Sequence, residues 1–270
     1  MHVQSEVGEP AGVVRNYADL CSHPLQDFHL PYDDGTAPND EPALVATAES
    51  ACGPARQNGG GDVCVGHDRI MTEARVGRLL AACLHEAILD ELPQRLDYYE
   101  TWLRPDALRD GVGLGPVTAV LGFLRTERDG GHDRVMARAG RLAADWTIDS
   151  LPAVRLRVIR ALPRWFRARA AARLASAIVR DVLSTSRAST RIRRSHAELR
   201  VTESLFCAVR EPQTTPLCAF YAAVAARSFE RFGLSSQDRI DRCRAVAGGP
   251  CVILLDFRAA VHVAGPARAA

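Results

Sequence analysis

The spacing of apolar residues changes along this chain, and that change constrains the fold more than any other feature of the sequence. From Thr72 onward, apolar side chains recur at intervals of three and four, as one buried face of an α-helix requires. The pattern predicts six helical segments before any strand, the last running from Trp165 to about Leu183. Prolines and glycines separate these segments at Pro93, Gly111, Gly113, Gly115, Gly130, Gly131, Pro152 and Pro163.

The last third of the chain has the alternating spacing that is typical of β-strands. A helix is predicted over residues 217–232, and the Gly248-Gly249-Pro250 turn predicts that the two final strands form a hairpin. The sequence therefore predicts an α+β fold, in which helices come first and a mostly antiparallel sheet with one packed helix follows. Strands are predicted at residues 190–194, 198–209, 239–247 and 251–257.

Charge divides the chain just before Met71. Residues 1–70 carry eleven acidic residues and three arginines, a net charge of −8, which leaves +10 for residues 71–270. The first segment is rich in Gly, Pro, Asn and Asp and shows no sustained period, so we expect an acidic, disordered tail. The alternative is a mis-assigned start, with Met71 as the first residue of the protein. We expect residues 71–258 to form the folded body and 259–270 to be a flexible tail.

Composition excludes several classes of protein. All 34 residues in the Lys+Arg count are arginines, so Schiff-base enzymes, pyridoxal-phosphate enzymes and Walker-type nucleotide sites are excluded. The apolar stretches are far shorter than a membrane span, and the N-terminus does not resemble a secretory signal. We therefore expect a cytoplasmic protein with reduced cysteines. The arginines between residues 160 and 173 are interpreted as a solvated helix face, because no nucleic-acid motif accompanies them.

Three cysteines in the last third are candidate metal ligands. Cys218 stands at the start of a predicted helix, while Cys243 and Cys251 flank the predicted hairpin turn. Three thiolates with Asp241 or a water as the fourth ligand would make a tetrahedral zinc site. The alternative is that these cysteines are small core residues.

The GxGxG triplet at residues 111–115 lacks the spacing of a dinucleotide site, so no nucleotide cofactor is predicted.

Several short motifs, in order, resemble those of the 4-vinyl-reductase-type ligand-binding domain, and most closely the bacteriochlorophyll 4-vinyl reductase family. The resemblance covers roughly residues 110–257. The motifs are Gly113-Leu-Gly115-Pro116, Ala139-Gly140, Leu162-Pro163 with the alanine-rich stretch 169–178, Cys218-Ala-Phe-Tyr, and Cys243-Arg-Ala-Val-Ala-Gly-Gly-Pro-Cys251-Val-Ile.

The resemblance implies a small-molecule pocket and a fold related to that of transport-particle (TRAPP) subunits. In similar sensor domains of transcription activators, three cysteines and a glutamate hold zinc beside a phenolic effector. Cys218, Cys243 and Cys251 match the three cysteine positions, but Ile240 stands at the glutamate position, with Asp241 next to it. Because neighbouring residues of a strand point to opposite faces, the fourth ligand stays open.

From these patterns we expect a binding protein for a hydrophobic small molecule, such as a tetrapyrrole intermediate of bacteriochlorophyll biosynthesis, acting as carrier or accessory to 4-vinyl reduction. Catalysis is not favoured, because no nicotinamide or flavin fingerprint accompanies the motifs. The alternatives are a zinc-bearing sensor of an aromatic effector and a TRAPP-like scaffold that pairs with a second copy or a partner enzyme. Aromatic rings are the best candidates to stack on the ligand. These candidates are Trp146, Trp165, Phe206, Phe220 and Tyr221.

Overall fold

The computed structural model describes residues 75–103, 112–127, 129–209 and 212–259. The predicted acidic tail, residues 1–70, and residues 260–270 of the predicted flexible tail lie outside these ranges. The described body is an α+β structure, as the change in apolar spacing predicts. None of its described helices is long and apolar enough to cross a membrane.

Helices dominate the first two-thirds of the body. Most of them begin next to a glycine or proline, as the positions of these residues in the sequence predict. They are α1 (Arg78–Glu91), a 3-10 turn (Pro93–Arg95), α2 (Leu96–Glu100), α3 (Leu114–Leu124), α4 (Gly131–Asp149), α5 (Ala153–Ala161) and α6 (Arg164–Val182), with α7 (Ala219–Arg231) and α8 (Arg244–Ala247) following later in the chain.

The strands form two sheets. A two-residue pair, β1 (Arg75–Val76) and β2 (Val112–Gly113), was not predicted. The main sheet has four strands in the order β3-β4-β6-β5, and every neighbouring pair is antiparallel. Its members are β3 (Arg187–Arg193), β4 (His196–Thr202), β5 (Leu234–Arg242) and β6 (Cys251–Ala259).

One face of the main sheet is buried under helices. Leu199 on β4 pairs with Ile253 on β6, and both side chains are almost fully buried. Helix α7 packs against β5 on one side and against α4 and α6 on the other, so it lies at the centre of the body. At its crossing with α4, a Cβ atom on Gly140 would lie 2.4 Å from the Phe220 carbonyl oxygen. The two backbones can approach this closely only because residue 140 has no side chain.

The strand predicted over 251–257 lies within β6, which pairs antiparallel with β5, but two other predicted strands have the wrong bounds. The strand predicted over 198–209 ends at Thr202, because Glu203 adopts a positive φ of 56° and reverses the chain. The strand predicted over 239–247 begins earlier, at Leu234, and ends at Arg242. After Cys243 the backbone N–H groups of residues 246–248 donate back to carbonyl oxygens three and four residues earlier, which forms α8. The Gly248-Gly249-Pro250 segment therefore joins α8 to β6 instead of closing a tight hairpin.

A candidate metal centre of four cysteines

Four cysteine side chains meet at one end of the sheet, beneath helix α7. Cys207 lies in the turn that follows β4, and Cys218 is the residue that precedes α7. Cys243 joins β5 to α8, and Cys251 is the first residue of β6. All four side chains are buried, and their sulfur atoms lie within 4.8 Å of one another. Cysteines from four places in the chain thus converge on a single group of thiols, and they could hold a metal ion.

The four sulfur atoms are packed closely together. The Cys207 sulfur lies 3.3 Å from that of Cys218 and 3.5 Å from those of Cys243 and Cys251. The sulfurs of Cys218 and Cys243 are also 3.3 Å apart. Four sulfurs at about 2.3 Å from a tetrahedral zinc would lie about 3.8 Å from one another, so a small outward movement suffices to accept the ion. A disulfide would need a separation of about 2.05 Å, and all four cysteines are free.

Backbone N–H groups point at two of the sulfurs. The N–H of Leu217 donates to the Cys243 sulfur at 3.3 Å, and the N–H of Arg244 donates to the Cys251 sulfur at 3.4 Å. Hydrogen bonds of this kind stabilise a thiolate and fix its orientation, which is the role that outer-shell groups have around metal sites. The local backbone is therefore already arranged for anionic sulfur.

The four thiols do not titrate alike. The pKa of Cys243 is held well below that of an ordinary thiol, because it accepts hydrogen bonds from Cys207 and the other two thiols as well as from the Leu217 N–H. The pKa of Cys251 is lowered chiefly by hydrogen bonds from Cys207 and Cys218. The pKa of Cys218 is raised, because its hydrogen bonds to Cys207 and Cys243 and its burial favour the protonated thiol. Two sulfurs of the cluster thus favour the anionic form that a metal ligand must have.

The predicted fourth ligand, Asp241, is not part of this cluster. Its side chain is about half exposed, and its carboxylate lies 3.9 Å from the guanidinium of Arg239 on the same strand. A register shift between Ile240 and Arg242 interrupts the pairing of β5 at this point. Cys207 occupies the place that the sequence assigned to Asp241 or a water. The spacing between Cys207 and the other cysteines did not indicate that it joins them, although all four lie in the last third of the chain.

Three of the five predicted ligand-binding aromatics pack together next to the cysteines. Phe206 lies between Phe220 and Tyr221, with ring centroids 4.9 and 5.0 Å away, and all three side chains are fully buried. The other two lie elsewhere on the body. Trp146 is half-buried on α4, and Trp165 is exposed in the first turn of α6, where the guanidinium of Arg169 stacks on its ring at 4.0 Å.

Two polar groups belong to this region: Arg125, which sequence reasoning missed, and the hydroxyl of Tyr221, which the sequence indicated only for its aromatic ring. The guanidinium of Arg125 donates to the Phe206 carbonyl at 2.9 Å, while its buried Nε has no hydrogen-bond partner in the described chain. Burial lowers the pKa of Arg125, and the neighbouring Cys207 opposes that effect. The Tyr221 hydroxyl is also buried, and it lies beside the Ser204 hydroxyl without the geometry of a regular hydrogen bond. Its pKa is raised by that burial. Only the tertiary structure brings either group to the site.

Two cavities are defined by described residues, and neither is lined by the predicted aromatic set. One, of about 540 Å³, lies on the outer face of the main sheet. The other, of about 590 Å³, lies near α2 and the end of α3. The first is lined by residues that include Arg191, His196, Glu198, Arg239 and Asp256, and the second by residues that include Tyr98, Tyr99, Phe123, Glu127 and Arg134.

Comparisons with known proteins give little further information. No protein-family model matches the chain, and no curated protein matches it significantly. Among solved structures, the chain is similar to a trafficking protein particle complex subunit 3 from Naegleria fowleri, in a crystal structure covalently bound to palmitic acid. The identity is 11%, the alignment covers 54% of this chain and 95% of that one, and the TM-score is 0.39. A likeness this distant assigns neither a function nor a ligand.

Proposed function

We propose that this protein is a zinc-containing binding module of the 4-vinyl-reductase type. The convergence of the four buried sulfurs of Cys207, Cys218, Cys243 and Cys251 is the observation that supports the zinc. Zinc is favoured because four thiolates in a tetrahedron are its usual structural ligand set. The α+β body, with a cysteine before the central helix and two more around the β5–β6 connection, is consistent with the fold of such domains and their TRAPP-subunit relatives.

The zinc would be structural. Four cysteines fill a tetrahedral coordination shell, whereas a catalytic zinc keeps one position for water or substrate. The ion would fasten the turn after β4 and the α8 region to the start of α7. Phe206 directly precedes Cys207 and Phe220 lies two residues after Cys218, so the zinc would also hold the aromatic cluster in place.

The ligand in this proposal is a flat hydrophobic molecule, such as a tetrapyrrole intermediate of bacteriochlorophyll biosynthesis that the protein carries to a reductase. Support comes from the sequence resemblance and from the aromatic cluster beside the cysteines. A polar atom of the ligand would also satisfy the buried Tyr221 hydroxyl, which otherwise carries a desolvation cost. Because the rings of Phe206, Phe220 and Tyr221 are in contact, binding requires them to separate.

Metal analysis tests the first half of the proposal. The full chain, purified under reducing conditions without added metal, should contain about one zinc ion per molecule. Cys218→Ser should lose that zinc, while Cys83→Ala should retain it, because Cys83 is buried in α1 outside the cluster. A colourless sample with zinc distinguishes this site from an iron site, which would absorb visible light. Absence of metal from the unaltered protein would reject the proposal.

Ligand titration tests the second half. Porphyrins and simple phenols are added separately to the zinc-loaded protein while absorbance and tryptophan fluorescence are followed. A saturable change with porphyrin supports the carrier function, and a response to phenols alone supports the aromatic-effector sensor. If neither class binds and the protein elutes as a stable dimer, the TRAPP-like scaffold is the better interpretation.

A further inference from the structure

Helix α5 and the first turn of α6 expose large apolar side chains close together in the chain. Ile159 is the one buried residue of α5. Val154 and Val158, four residues apart on the same side of that helix, are 70% and 49% exposed. Trp165 and Phe166 at the start of α6 are 44% and 52% exposed. We call these four residues the α5–α6 surface.

This concentration differs from the single exposed apolar residues found on any protein. Val154 and Val158 share one side of α5, and the rings of Trp165 and Phe166 are 6.2 Å apart at the start of α6. Exposed apolar side chains concentrated in this way mark places where something else binds.

Positive charge is concentrated along the chain segment that carries the α5–α6 surface. Residues 150–180 contain eight arginines and no Asp or Glu. Two of these arginines have structural roles, since Arg160 donates to the Arg231 carbonyl and Arg167 donates to the Phe232 and Gly233 carbonyls at the end of α7. The exposed side chains of three others form no ion pair within the described part of the chain. These three are Arg157, Arg164 and Arg173.

The positive charge of the α5–α6 surface favours some binding partners over others. A second copy docked through the same surface would place arginines against arginines, which is unfavourable. An anionic lipid surface offers phosphates to the arginines and a boundary region in which Trp, Phe and Val side chains are favourably buried. Trp165 is a residue type that prefers this boundary, and Arg169 stacked on its ring extends the basic surface beside it.

We propose that the α5–α6 surface binds the headgroup region of an anionic lipid bilayer, with Val154, Val158, Trp165 and Phe166 inserted and the neighbouring arginines on the lipid phosphates. The protein would lie on the membrane surface and not span it, which agrees with the lengths of the described helices. This inference does not depend on zinc or on the nature of the small-molecule ligand.

Vesicle sedimentation with the full chain tests the proposal. The probes are vesicles of phosphatidylcholine alone and of phosphatidylcholine mixed with phosphatidylglycerol. The protein should sediment with the mixed vesicles only, and less so at high salt. Two variants should each weaken binding by about tenfold or more. One is the double variant Trp165→Ala with Phe166→Ala, and the other is the triple variant Arg157→Gln, Arg164→Gln and Arg173→Gln.

A charge-matched control removes three exposed arginines from the main sheet, through Arg191→Gln, Arg193→Gln and Arg258→Gln. It should bind mixed vesicles as the unaltered protein does, and circular dichroism should show that every variant folds. The proposal is overturned if mixed vesicles do not bind, if the control weakens binding equally, or if binding ignores the loss of Trp165 and Phe166. Tight binding of RNA that competes with vesicles, or a dimer abolished by the Trp165 and Phe166 double variant, also overturns it.

Discussion

The sulfur atoms of Cys207 and Cys218 lie 3.3 Å apart, although one belongs to the turn after β4 and the other precedes α7. This contact adds a fourth thiol to the three cysteines expected from sequence, which gives the number of ligands that a tetrahedral metal site needs. The turn that carries Cys207 is held by two further hydrogen bonds. The Cys207 N–H donates to the Ser204 hydroxyl, and the Phe206 carbonyl accepts from Arg125. The position of Cys207 is thus fixed by groups outside the cysteine cluster.

The first prediction compares Cys207, the fourth cysteine of the cluster, with Asp241, the fourth ligand expected from sequence. Cys207→Ser should abolish stoichiometric zinc binding and lower the melting temperature, because an oxygen replaces a thiolate in a site whose binding energy contributes to folding. Asp241→Asn should leave both quantities unchanged, because its carboxylate is exposed and outside the cluster. Zinc analysis and thermal unfolding measure the two effects. Loss of zinc in the Asp241 variant would contradict this assignment.

The second prediction concerns the crossing of α4 and α7. Gly140→Ala should destabilise the protein by about 1–3 kcal/mol, because the new methyl group meets the Phe220 carbonyl and the Ala223 side chain. Gly122→Ala is the matched control. It lies inside α3 with no atom within 4 Å of its new Cβ, so it should stabilise by about 0.5–1 kcal/mol. Urea unfolding gives both values, and equal effects would show that the helices do not cross as described.

The third prediction concerns the buried hydroxyl of Tyr221. Tyr221→Phe should stabilise the ligand-free protein by up to about 1 kcal/mol, because it removes a buried hydroxyl whose contact with Ser204 does not have regular hydrogen-bond geometry. Phe220→Ala, in the same cluster, should cost about 3–5 kcal/mol through the cavity that it leaves. Both are measured by chemical unfolding. A destabilised Tyr221→Phe variant would mean that the hydroxyl has a partner in solution.

The fourth prediction is a pH dependence. Burial raises the pKa of Asp181, which lies at the C-terminal end of α6 beside Gly77, where the helix dipole also disfavours negative charge. The folded pKa is thus above the unfolded one, so stability is lost as the pH rises through the folded value. Asp181→Asn should therefore be more stable than the unaltered protein at pH 8, and this advantage should disappear as the pH falls to about 4, the pKa of Asp in an unfolded chain. The exposed Asp238→Asn should show no comparable trend in urea unfolding at the same pH values.

Local patterns predicted the elements better than their junctions. Amphipathic spacing placed α6 and α7 within about two residues of their observed bounds, since a buried helix face leaves a signal in the sequence itself. The end of β4 was missed, because the reversal at Glu203 depends on a positive φ in a residue that seldom adopts it. The short helix α8 was missed for a related reason: its four residues are too few to show a period.

The sequence by itself determined the α+β order of elements and the central helix that Cys218 precedes. Both are properties of neighbouring residues, and hydrophobic spacing reports them directly. The sequence also indicated Cys218, Cys243 and Cys251 as candidate ligands, but partly through a tight hairpin that does not form. Only the tertiary structure decided that Cys207 joins them while Asp241 faces solvent, and that Phe206, Phe220 and Tyr221 pack in contact with one another. The physical reason is that a tetrahedral site and an aromatic cluster are set by distances between elements. Those distances follow from how α7 packs on the sheet and not from spacing along the chain.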